Sequence, residues 1–170
     1  GVSRLGTLFA YQSFGVVPDV MSTAKGIAGG VPCGLMMAKE NVAKAFAPGD
    51  HASTFGGNPL ATAAGNVVVD ELLGGLLDNV KEQGAYLREQ LEKVAEKHKD
   101  LVKDVRGMGL MQGIELNKPA GPVVAKAIDL GLLLVGAGQF IIRFVPSLIV
   151  SKADIDTAME ILDKALESAE

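Results

Sequence analysis

The chain has 170 residues, the length of one ordinary domain, and is 48% hydrophobic and 21% charged, enough to bury a sizeable core and too apolar to be disordered. A net charge of −4 with no Lys/Arg cluster excludes nucleic acid as the main partner, and the single cysteine, Cys33, excludes an internal disulfide and a cysteine-based metal site. The two histidines, His51 and His98, lie far apart, unbroken apolar runs fall short of a membrane span, and no signal-peptide plan opens the chain, so a soluble cytoplasmic domain without metal or membrane partner is expected.

Before Asn58 the only charged residues are Arg4, Asp19, Lys25, Lys39, Glu40, Lys44 and Asp50, whereas 13 of the 21 glycines fall in the first 75 positions. A glycine-rich, charge-poor stretch belongs to a large core or lets backbone approach a ligand, so this part reads as a piece of something bigger. Its opening, Gly1 to Gly6, reads as the middle of a loop. Val16 to Ser22 predicts a turn into a short buried strand, Gly34 to Ala38 a second apolar run, and Glu40 to Phe46 a helical turn or two. Asn58-Pro59 is a helix start, since asparagine caps and proline fits the first helical position; the Ala-rich run after it is predicted helical to about Leu73. Gly74-Gly75 breaks or bends that helix, and Leu76 to Lys99 follows as an amphipathic one.

Leu101 to Arg106 and Gly109 to Leu116 are predicted strands, Val123 to Leu130 a helix ending at Gly131, and Leu132 to Val135 and Phe140 to Val145 strands. Gly136-Ala137-Gly138 reads as a turn, and Ser151 with Asp154 as an acidic capping box on a last helix. The order β-β-α-β-β-α is an α+β layer able to pack its helices on one sheet face. His98, among Glu96, Lys97, Lys99 and Asp100, reads as a solvated surface residue, and Met108 and Met111 as core filler.

Three places carry candidate chemistry. Lys25, in Ser22-Thr23-Ala24-Lys25-Gly26-Ile27-Ala28-Gly29-Gly30, has no other charge between Asp19 and Lys39. A lysine in apolar surroundings loses proton affinity, and a neutral amine is what condensation with an aldehyde requires; the alternative is a lysine snorkelling from a strand end. Ser53-Thr54-Phe55-Gly56-Gly57-Asn58-Pro59 places hydroxyls and glycines before a capped helix, either an anion-binding loop or an ordinary helix entry. Arg143, in Phe140-Ile141-Ile142-Arg143-Phe144-Val145-Pro146, needs a carboxylate or phosphate for its fork, which is a structural acid or a substrate carboxylate.

These strings resemble the class III (subgroup II) pyridoxal-phosphate aminotransferases, with the acetylornithine aminotransferases the nearest branch. The matching text is G-V-S-R-L-G-T-L-F-A-Y, P-D-V-M-S-T-A-K-G-I-A-G-G-V-P-C-G, H-A-S-T-F-G-G-N-P-L-A and I-I-R-F-V-P-S-L-I-V. The resemblance implies an α/β fold: the C-terminal part of a fold-type-I PLP-dependent transferase. Residues 1–73 would be the end of the large cofactor-binding domain, and residues 74–170 the small α+β domain. It implies that Lys25 carries the cofactor covalently and moves the substrate proton, and that Thr54, with Ser53 beside it, reaches the cofactor phosphate of a neighbouring subunit in a homodimer. Arg143 would grip the α-carboxylate of glutamate or 2-oxoglutarate.

The implied reaction moves the amino group of N2-acetylornithine to 2-oxoglutarate in arginine biosynthesis. Ornithine, succinyl-diaminopimelate and 4-aminobutyrate are alternative amino donors, and a non-catalytic fragment serving as a dimerisation or binding module is the alternative to an enzyme. Ser3 and Leu5 depart from the usual glycine and threonine, and Ser147 from a common proline. The family's aspartate for the pyridine nitrogen is expected just upstream of Gly1.

Overall fold

A computed structural model describes residues 1–168, which form two compact units: residues 1–3 with 7–77, and residues 4–6 with 78–168. The first unit contains α1 (Ala10–Ser13), β1 (Val20–Thr23), a single 3₁₀ turn (Lys25–Ala28), β2 (Leu35–Ala38), α2 (Glu40–Ala43) and α3 (Pro59–Glu71). β1 and β2 pair antiparallel, Val20 opposite Ala38 and Thr23 opposite Leu35. The strand predicted as buried is exposed or half-buried along its length, because this ribbon has only two strands and no second layer covers it within these residues. Buried apolar side chains of this unit are confined, among the described residues, to Ile27, Ala28, Ala61 and Leu72. Phe55 and Leu60, by contrast, are 82% and 71% exposed.

Asn58 caps α3 as its position predicts: its side-chain oxygen accepts from the Ala61 amide at 2.9 Å, and Pro59 occupies the first turn. A wide turn, Leu72–Leu76, follows, inside which Gly75 adopts φ 131°, open to glycine and strained for any side chain. Pro59–Lys97 is long enough to cross a membrane, and its most apolar window has a mean hydropathy of 1.4. Gly75 interrupts that path, Asp70 and Glu71 would have to enter hydrocarbon, and charges accumulate from Asp78 onward.

The second unit contains α4 (Leu77–Lys97), β3 (Val102–Met108), β4 (Met111–Leu116), α5 (Gly121–Asp129), β5 (Val135–Ala137), β6 (Ile141–Phe144) and α6 (Lys152–Glu167). Its four strands form one antiparallel sheet in the order β3-β4-β6-β5. Val80, Leu87 and Leu91 of α4, Val123 and Ala127 of α5, and Ile155 and Leu162 of α6 share one core with Val105, Ile114, Leu116, Ile142 and Phe144 of the sheet. This is the α+β layer that the order of elements predicts. Ser151 and Asp154 complete the capping box, with the Asp154 amide donating to the Ser151 hydroxyl at 3.2 Å and Asp154 Oδ2 accepting from the Ser151 amide at 2.9 Å.

Four local expectations are corrected. β5 begins at Val135 rather than Leu132, because the Leu132 amide is taken by the Ala127 carbonyl in the exit from α5. Gly136 and Ala137 are strand, and the turn begins at Gly138. Met108 and Met111 are exposed rather than core, since they face each other at the tip of the β3–β4 hairpin. His98 is 2% exposed: its Nε2 meets Asp163 Oδ1 of α6 at 2.8 Å, beside Lys97, whose amine reaches Asp163 at 2.5 Å and Glu167 at 3.0 Å.

Candidate active site

Lys25 stands where β1 has ended and one tight turn begins. Ala24 is extended, and Lys25 itself has φ 56°, a left-handed conformation unusual for a lysine. The next residues, Ile27 and Ala28, are buried, and the turn seats on α3. A side chain in that region of backbone space costs on the order of 1–2 kcal/mol, a strain that concentrates at functional positions. Lys25 lines a cavity of about 930 Å³ together with Phe9, Tyr11, Ser22, Thr23, Leu35, His51 and Ser53. Phe9 and Tyr11 stack with ring centres 6.3 Å apart. Lys25 is exposed, so the dry setting that its apolar neighbours in sequence suggest is not made by these residues: the neighbouring Ile27 and Ala28 are buried in the turn that seats on α3 and do not enclose the amine.

Ser53 borders this cavity and also a second one of about 310 Å³ with Pro32, Cys33, Phe55 and Asn58. Thr54 lines neither of the two. It is exposed and makes no hydrogen bond among the described residues. Within this unit Lys25 and Ser53 are therefore brought together, and Thr54 is not. His51, read from the sequence only as too far from His98 to share a metal with it, also borders the Lys25 cavity. Its nearness to the Thr54 loop in sequence was the available signal.

Arg143 belongs to the second unit. It sits in β6 between Gly113 of β4 and Val135 of β5, exposed, while its neighbours Ile142 and Phe144 point into the core. Strand alternation thus keeps the guanidinium out of the apolar interior that the sequence had placed it in. No acid pairs with it among the described residues, which leaves its fork open for a carboxylate from elsewhere. It borders a cavity of about 400 Å³ with Leu134, Val145, Pro146, Asp154 and Met159.

Residues 1–166 match the family described as Aminotransferase class-III. The chain belongs to the class III aminotransferases. An acetylornithine aminotransferase of Caldanaerobacter subterraneus is 51% identical over 168 residues, 98% of this chain and 42% of that protein. One from Thermosynechococcus vestitus is 49% identical over 171 residues, covering 98% and 41%. Among solved structures, the N-acetylornithine aminotransferase of Stenotrophomonas maltophilia superposes with a TM-score of 0.87 at 34% identity, over 99% of this chain and 45% of that one. The acetylornithine aminotransferase of Elizabethkingia anophelis gives 0.90 at 31% identity over the same shares. The class III chain described here spans about two fifths of the length of the curated relatives it matches, and its fold is the C-terminal part of a fold-type-I transferase.

Proposed function

We propose that this chain supplies the C-terminal part of a pyridoxal-phosphate-dependent acetylornithine aminotransferase, with the first unit as the end of the large domain and the second as the small domain. The observation that carries the reading is Lys25: a lysine on strained left-handed backbone that lines a cavity with Ser53 and His51, in a chain half identical to proteins of that name. The residues present fit the cofactor, since a primary amine, hydroxyls and an aromatic pair border one space wide enough for a planar ring. When bound, pyridoxal phosphate supplies the electron sink for the amino-acid carbanion.

The chain's own groups do the rest. Lys25 would hold the cofactor through its amine, and the free amine would accept and return the proton of the substrate α-carbon. Ser53 and Thr54 donate hydroxyl hydrogen bonds to phosphate, Thr54 to that of the partner subunit in a homodimer. Arg143 holds the α-carboxylate of glutamate or 2-oxoglutarate through two parallel hydrogen bonds. The amino donor is N2-acetylornithine, the acceptor 2-oxoglutarate, and the setting the cytoplasmic synthesis of arginine. In the full-length enzyme, borohydride reduction should fix the cofactor on the peptide bearing Lys25, and Lys25→Ala should abolish turnover. The proton-transfer role alone is worth roughly 10²–10⁴-fold. A cofactor found on Lys39 or Lys44 overturns the assignment.

A further inference from the structure

The segment Arg4–Gly6 lies within the second unit although the residues on either side of it, Gly1–Ser3 and Thr7 onward, lie in the first. Two contacts from one residue dock it. The Arg4 carbonyl accepts from the Leu110 amide at 2.8 Å, in the turn of the β3–β4 hairpin. The Arg4 guanidinium donates to the Pro146 carbonyl, just past the end of β6. The docking surface is bare backbone. A Cβ at Gly109 would collide with the Arg4 carbonyl, and one at Gly84 of α4 would lie 2.6 Å from the Gly109 Cα. Gln112 locks that surface from beneath, its side-chain amide donating to the Gly84 carbonyl at 2.7 Å and the Gly109 carbonyl at 2.8 Å.

Pro146 is three residues from Arg143 in an extended segment, and Arg143 has Gly113 of β4 on one side and Val135 of β5 on the other. The sheet thus holds Arg143 at its own position, but the chain leaves the sheet after Phe144; there the Arg4 side chain ties Pro146, and farther along the Asn79 side-chain amide donates to the Leu148 carbonyl at 2.8 Å. We infer that Arg4 is a positioning residue for the substrate-carboxylate arginine: it joins the β3–β4 turn to the exit of β6 and so fixes the direction in which Arg143 presents its fork. The inference rests on the reading of Arg143 given above. Burial lowers the Arg4 guanidinium below its ordinary value, as befits a charge withdrawn from water to serve a single carbonyl.

The test uses the full-length holoenzyme and three variants, Arg4→Ala, Arg4→Lys and Arg143→Lys. It reads KM for 2-oxoglutarate against kcat, cofactor content, and amide hydrogen exchange of the peptide covering residues 144–148. Arg4→Ala should raise KM for 2-oxoglutarate by on the order of tenfold to a hundredfold, the scale of a small misplacement of a binding group. It should change kcat less, retain cofactor, and quicken exchange in 144–148. Arg4→Lys, which keeps a cationic donor for the Pro146 carbonyl, should recover most of the KM. If Arg4→Ala does not accumulate as folded protein, Arg4→Lys against the unaltered enzyme carries the comparison through a smaller KM rise with the same exchange signature. A lowered melting temperature with KM and exchange unchanged makes Arg4 merely structural and overturns the inference. Arg143→Lys separates the two claims: if it leaves KM unchanged, the carboxylate reading of Arg143 fails, and if it raises KM where Arg4→Ala does not, only the positioning role fails.

Discussion

Ser3 carries two costs at one residue. Its backbone sits at φ 61°, where glycine is at ease and an L side chain is not, and its hydroxyl is buried with no hydrogen-bond partner. A glycine at this place would have neither problem. Ser3→Gly is therefore expected to raise stability by about 1 kcal/mol, the relief of strain and of a stranded hydroxyl exceeding the entropy that glycine adds to the unfolded chain. A thermal melt of the two proteins side by side checks it, and a lower midpoint refutes it. Lys25 shares the left-handed backbone, but its strain was not legible in its sequence, because a lysine followed by glycine says nothing of its own φ. What was legible was its isolation from other charges. Arg143 was legible as a candidate and misjudged in its setting, since an apolar string does not say which of its members face out.

At the scale of elements, α4 and α6 are clasped by Asp163. Burial alone would raise its carboxyl, but the hydrogen bonds from Lys97 and His98 outweigh that and hold it below the usual carboxylate range. A carboxyl lowered on folding contributes stability that is fully present above its unfolded value, about 3.9, and is lost as pH falls through the folded value. The melting temperature should accordingly hold above about pH 4 and decline below it. Asp163→Ala should remove that share of the acid sensitivity and cost about 1–3 kcal/mol at neutral pH, because the buried His98 Nε2 loses its bond to the Asp163 carboxylate. Melts of both proteins across pH 3–7 decide it, and an unchanged acid limb counts against the clasp. Helix caps at Asn58 and Ser151 were legible because a cap is written within four residues. His98 was not, for its burial is set by α6, which lies far along the chain from it.

At the scale of the whole molecule, the role proposed for Thr54 can be tested. A homodimer in which Thr54 serves the partner's phosphate predicts complementation between two dead variants. A mixed dimer of Thr54→Ala and Lys25→Ala subunits holds one doubly damaged site and one intact site, so activity should partly return after subunit exchange. Proven exchange with no recovery removes the across-subunit role. The docked triplet Arg4–Gly6 has a consequence for inheritance. The chain passes between units after residues 3, 6 and 77, so each unit is discontinuous in sequence and no single scission frees either one whole. A crossover between homologous genes at the Gly74-Gly75 kink would set one parent's Arg4 and Leu5 against the other's Gly109 and Pro146. Recombinants are expected to keep that contact when both parents carry arginine at 4 and glycine at 109, which ties the opening loop and the distant hairpin into one heritable block.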